Sequence, residues 1–168
     1  MMSARRLDPS QPVVYLDYDG VLHSDEVYWY RRRGIVVKAD HDLFAAAGIL
    51  ESILAPYPVV QLVLATTWVR VLSYHTAAKR LPPGLQQRLR GATWHSSIDG
   101  EWWSTLTRYQ QIANHVSRHA IKTWLAVDND ADGWPLDAAD RLVHTPDSCG
   151  LLEPAAQGEL ARKLALLR

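Results

Sequence analysis

The chain has one cysteine, no excess of either charge and no apolar run long enough to cross a bilayer. A single thiol, Cys149, excludes an intramolecular disulfide framework and fits a reducing compartment, so a cytoplasmic location is expected. The balance of 18 basic and 18 acidic residues removes the long-range basic field on which non-specific nucleic-acid binding relies. The local basic run Arg31-Arg32-Arg33 is read as a solvated turn. A membrane span needs about 18 successive apolar residues, and none is found. The opening MMSARRLDPSQP lacks the apolar core of a secretory leader, and residues 1–12 are expected to be disordered. No repeat, low-complexity tract or linker divides the 168 residues, so residues 13–168 are expected to form one domain.

What is present is an alternation. Four short apolar runs, Val13 to Leu16, Val59 to Ala65, Thr123 to Val127 and Arg141 to His144, read as buried parallel strands. Between and after them, helical spacing covers His41 to Ala55, Trp68 to Leu81, Ser104 to Arg118 and Pro154 to Leu167. Pro82-Pro83-Gly84 interrupts the pattern, with a short helix, Leu85 to Arg90, and a strand, Ala92 to His95, expected after it. The class is α/β, a three-layer Rossmann-like parallel sheet. Between the first two strands, EVYWY, RRRG and IVVK predict a small β-hairpin flap over about residues 24–38, with no large cap domain.

In such a sheet ligands bind beyond the carboxyl ends of the strands. The first strand ends in Asp17 and Asp19, the second in Thr66 and Thr67, and the Thr123 strand in Asp128, Asn129, Asp130 and Asp132. The period of two in an extended chain sends Asp17 and Asp19 to one side. Carboxylates that close repel one another unless a cation or a shared proton intervenes. With Asp128 they make an all-oxygen pocket suited to a hard divalent ion, and magnesium is the usual choice when a phosphate completes the shell. Gly20 lets the backbone turn and approach a ligand closely.

Leu16-Asp17-Tyr18-Asp19-Gly20-Val21-Leu22, Leu62 to Thr66 and Trp124 to Asp132 stand in the order and spacing of the haloacid dehalogenase (HAD) superfamily, which the chain resembles over nearly its whole length. It is most similar to the small HAD domains of Swiss-army-knife RNA-repair proteins, through Ala-Thr-Thr-Trp at 65–68, Trp-Leu-Ala-Val-Asp at 124–128 and Thr145-Pro146-Asp147 leading to Gly150-Leu151. The resemblance implies a magnesium-dependent phosphatase that works through an aspartyl phosphate. Asp17 would be the nucleophile and a metal ligand. Asp19 would be the acid and then the base, with its carbonyl on the metal. Asp128 would be the remaining carboxylate ligand, and Thr66 would bond the transferring group, with Thr67 and Gly20 beside it. A second aspartate expected after Asp128 is replaced by Asn129, and Asp132, one helical turn on, could take its place through a water. The substrate would be a phosphorylated small molecule or a nucleic-acid end.

The pattern also calls for a cation. Lys122 precedes a strand and so lies at the wrong end of the sheet, while Lys79 and Arg80 close a helix expected to run away from the crevice. Arg108, near the start of the helix leading to the Asp128 strand, is the candidate, and Arg70, whose fork suits a phosphate, is the runner-up. Plainer readings stand beside these. Thr66 could simply cap the next helix. His23 could touch the substrate, but a loop histidine more often only hydrogen-bonds, and that is the reading kept. Trp29 and Trp68 lie near the crevice, whereas Trp94, Trp102, Trp103 and Trp124 are read as packing. The rival functions are an inactive binding module on the same fold and a receiver-type signalling domain. The latter is disfavoured because its acceptor aspartate ends the third strand.

Overall fold

The computed structural model describes residues 5–167. Strands β1 (Val13–Leu16), β4 (Gln61–Leu64), β5 (Leu89–Ala92), β6 (Trp124–Asp128) and β7 (Leu142–His144) form a parallel sheet in the order β5-β4-β1-β6-β7. Strands β2 (Val27–Tyr30) and β3 (Gly34–Val37) form the antiparallel hairpin expected of the flap. The helices are α1 (Ala47–Leu54), α2 (Trp68–Leu72), α3 (Tyr74–Ala78), α4 (Pro83–Gln86), α5 (Gly100–Ser104), α6 (Arg108–His119) and α7 (Pro154–Leu166). Among the described residues no helix is long and apolar enough to cross a membrane.

The central strand explains the apolar runs. Val14 and Leu16 face a core built with Leu50 and Leu54 of α1 and Leu160 and Leu164 of α7, while Val13 and Tyr15 face a second core built with Ile112 of α6. Both faces of β1 are therefore covered, and β1, β4 and β6 are buried along their whole lengths.

Several boundaries differ from expectation. The segment from Trp68 is not one helix to Leu81, because Ser73 adopts φ +94° and starts α3 by accepting the Thr76 N–H on its hydroxyl. The helix expected from Ser104 begins at Arg108, and Ser104 instead closes a separate short helix, α5. Asp99 caps α5, and Thr107 and Gln110 form a reciprocal capping box that makes Arg108 the first residue of α6. Pro83, suited to a first helical turn, starts α4 two residues before the expected Leu85, and strand β5 likewise comes earlier, at Leu89 rather than Ala92. Helix α1 starts at Ala47 rather than His41, after Phe44 at φ +60°. The disorder expected at the N-terminus falls partly outside the described residues. Within them, the Gln61 side chain accepts the Asp8 N–H at 2.8 Å and donates to the Asp8 carbonyl at 2.8 Å, so this part of the segment is tied down.

Candidate active site

Register decides which acids meet. Leu16 pairs with Val127, so the next residues, Asp17 and Asp128, emerge side by side at the carboxyl end of the sheet on the α6 face. Both are buried, at 5% and 1% exposure. The Tyr18 N–H donates to Asp17 Oδ1 at 2.8 Å and the Asp130 N–H to Asp128 Oδ1 at 3.0 Å, which fixes both carboxylates and leaves each Oδ2 facing Arg108. Burial pushes the Asp17 carboxyl up, the Arg108 guanidinium pulls it back, and the Asp19 charge pushes it up again. Asp128 is raised well above the carboxylate range by burial and by Asp17, against Arg108.

Arg108 is the cation between them. Its Nε lies 3.1 Å from Asp128 Oδ2 and its Nη2 3.9 Å from Asp17 Oδ2, while Nη1 donates to the Ala65 carbonyl at the end of β4. Burial alone would lower its pKa, yet the charges of Asp17, Asp128, Asp130 and Asp19 raise it, so the guanidinium stays charged. The Nε to Oδ2 approach lacks hydrogen-bond alignment, which leaves two buried polar atoms held by charge alone.

Asp19 behaves differently. The strand ends at Leu16, so the alternation expected to align Asp19 with Asp17 does not continue. Instead Asp19 Oδ1 accepts from the Trp68 indole N–H at 2.9 Å and faces His23 Nε2 at 2.9 Å. The Phe44 backbone N–H donates to His23 Nδ1 at 3.0 Å, so in the neutral ring the proton sits on Nε2 and points at Asp19. His23 is fully buried, and two donors thus orient a carboxylate that keeps 30% side-chain exposure. In the sequence the only sign of this contact is the four-residue spacing of His23 from Asp19.

The remaining residues fall around this centre. Thr66 is buried, and its hydroxyl accepts the N–H of Trp68, the first residue of α2, at 3.3 Å, from one position before the N-cap Thr67, which makes no side-chain cap of its own. Thr66, Thr67, Arg70, Arg108 and Asp130 line one cleft, which Trp94 and Trp103 also wall. Arg70 lies on its outer side, stacked at 4.7 Å on Trp94 and donating to Ser104 Oγ at 3.1 Å. Arg108, not Arg70, is the cation at the acids. Trp102, expected to pack, is 46% exposed. Helix α3 ends before Arg80, whose guanidinium lies 5.5 Å over the Trp68 ring and is not among the residues that line the cleft. Gly20, at φ +74°, touches Asn129 so closely that a Cβ would collide with that side chain. Asp132 lies exposed in a turn rather than on a helix, its N–H donating to Asp130 Oδ1 at 3.0 Å. Thr145 donates to the Gly20 carbonyl and Leu151 N–H to the Val21 carbonyl, so the segment after β7 clamps the loop that carries the acids.

A family model described as the HAD domain in Swiss Army Knife RNA repair proteins matches residues 13–156. Neither a curated protein nor a solved structure matches the chain.

Proposed function

Since the chain belongs to the family of HAD domains found in Swiss Army Knife RNA repair proteins, within a hydrolase superfamily, we propose that it is a magnesium-dependent phosphatase acting on phosphorylated nucleic-acid ends or nucleotides in the cytoplasm. The observation that carries this reading is the pairing of Asp17 and Asp128 in adjacent register with Arg108 between them, while Asp19 is held apart by its own donors.

Two buried carboxylates against one guanidinium leave an unbalanced negative charge, and Asp128 Oδ2 has no hydrogen-bond donor. That donor set fits a hard divalent ion held by Asp17, Asp128 and the Asp19 carbonyl, with Asp132 acting through a water. Among the described residues no three His, Cys, Asp or Glu side chains form a metal-holding group, so substrate phosphate and water would complete the shell. The ion would supply positive charge at the phosphoryl oxygens.

The protein's part is positional. The Asp17 carboxylate attacks phosphorus in line as the bond to the leaving oxygen breaks, and Asp19 gives that oxygen a proton. Asp19 then takes a proton from water as the water oxygen attacks the acyl phosphate, releasing phosphate and restoring Asp17. Arg108 and the Thr66 hydroxyl bind the equatorial oxygens, Thr67 and Gly20 border the group, and Arg70 holds a further anionic part of the substrate.

Hydrolysis of p-nitrophenyl phosphate by the wild type with and without magnesium tests the reading. Activity should require the metal and fall by at least 1,000-fold in Asp17→Asn, on the scale of losing a nucleophile. Activity that survives that substitution removes Asp17 from its role, and an inactive but folded wild type removes the enzyme. A panel of RNA ends, DNA ends and phosphorylated metabolites then ranks substrates by kcat/KM.

A further inference from the structure

The flap bears features that hydrolysis at the acids does not use. Strand β2 exposes three consecutive aromatic residues, Tyr28 at 42%, Trp29 at 51% and Tyr30 at 36%. Soluble surfaces rarely leave adjacent large rings uncovered without a partner. Arg31, Arg32 and Arg33 form the exposed turn that follows. From residue 26 to 38 the only carboxylate is Glu26 against four cations, a local charge of +3 in a chain whose total is zero.

Rings and cations are interleaved. Lys38 lies 4.5 Å over the Tyr28 ring and Arg33 5.5 Å over the Tyr30 ring. Tyr30 pairs with Gly34, which places no side chain across from it. On the opposite side of the strand Trp29 leans on Trp68 at 6.2 Å between centroids, and the Trp68 indole N–H holds Asp19. Trp29, itself 51% exposed, therefore joins the flap to the wall of the site, while Tyr28 and Tyr30 lie on the outer face of the same strand.

We propose that the flap is a binding surface for single-stranded nucleic acid, with Tyr28 and Tyr30 stacking on bases and Arg31 to Arg33 contacting the backbone phosphates of the strand whose end enters the site. Alternating rings and cations suit this partner because every base offers a π-face and every linkage a charge. An acidic protein would match the charges but leave the rings without stacking partners. The inference builds on the phosphatase reading for where the strand ends, but it can be tested without turnover.

The test is fluorescence anisotropy of a dye-labelled 12-nucleotide single strand that lacks a terminal phosphate, in the absence of divalent metal. The wild type should bind at 50 mM salt. Arg31→Ala/Arg32→Ala/Arg33→Ala should weaken binding at least tenfold and flatten the slope of log affinity against log salt by about 2, as for three lost contacts. Changing the same arginines to lysine should restore most of that slope. Tyr28→Ala/Tyr30→Ala should weaken binding about tenfold or more with the slope retained. The positions are exposed, and matched circular dichroism confirms that each variant is folded. No wild-type binding, equal binding by the variants, or equal competition by duplex DNA or polyglutamate overturns the inference. Binding without phosphatase activity overturns only the catalytic reading, and activity without binding overturns only this one.

Discussion

At the residue scale the informative contrast is between two aspartates two positions apart. Asp17 is tied by a backbone N–H and compressed against Asp128 and Arg108, whereas Asp19 is gripped on one oxygen by an indole and an imidazole. Trp68→Phe keeps an aromatic ring in the core, gives up the volume of the second indole ring, and removes the N–H. A hydrogen bond to a charged group contributes about 1.5–3 kcal/mol, so kcat should drop roughly 10- to 100-fold through a misdirected Asp19. Steady-state kinetics beside a thermal melt check this, and an unchanged kcat would show that His23 alone orients the acid. Gly20→Ala should act on stability instead. It places a side chain at φ +74° against Asn129, for an expected loss of about 1–3 kcal/mol in urea unfolding.

At the element scale, what was legible in the sequence follows from how local each signal is. β1 and β6 were readable because strands covered on both faces are continuous apolar runs, and Asp17 and Asp128 followed as the first residues past the apolar stretch. The place of Arg108 beside these acids was readable because a helix feeding a parallel strand must begin at the carboxyl end of the sheet. The Ser73 break was not, since a serine at φ +94° is imposed by tertiary packing and carries no glycine to announce it. The hold of Trp68 on Asp19 was hidden for the same reason, because it joins residues 49 apart in sequence through the packing of α2 on the loop after β1. The capping box at Thr107 and Gln110 is a local signal of the α6 start that apolar spacing alone does not carry. Thr107→Ala should cost about 1 kcal/mol in urea unfolding, and because Arg108 is the next residue it should lower kcat as well. A loss of stability with full activity would show that the Asp17 and Asp128 charges hold Arg108 without the cap.

At the scale of the whole molecule, the face of the sheet opposite α1 and α7 conceals an acid-sensitive group. His115 on α6 is buried, with Nδ1 2.8 Å from the Tyr15 hydroxyl of β1, and its ring is 4.2 Å from that of His119. Burial, together with the charges of His119, Arg118 and His95, pushes its pKa down to about 3 from 6.5. In the unfolded chain this imidazole takes a proton below about pH 6.5, and in the folded one it does not until about pH 3. Between those values the unfolded state binds more protons, so stability is complete above pH 6.5 and declines as the pH falls through the window. Each pH unit corresponds to about 1.4 kcal/mol, which makes the His115 contribution at pH 5 about 2 kcal/mol. Buried Asp17 and Asp128 oppose this trend, since carboxyls with raised pKa values stabilise the fold as they protonate. The net slope of the wild type therefore mixes both signs, and the decisive measurement is a difference. Urea unfolding of wild type and His115→Gln at pH 7.5 and pH 5 should show the variant losing about 2 kcal/mol less than the wild type on acidification. Equal losses would mean that His115 is already protonated in the fold and that the Tyr15 hydroxyl is not donating to it.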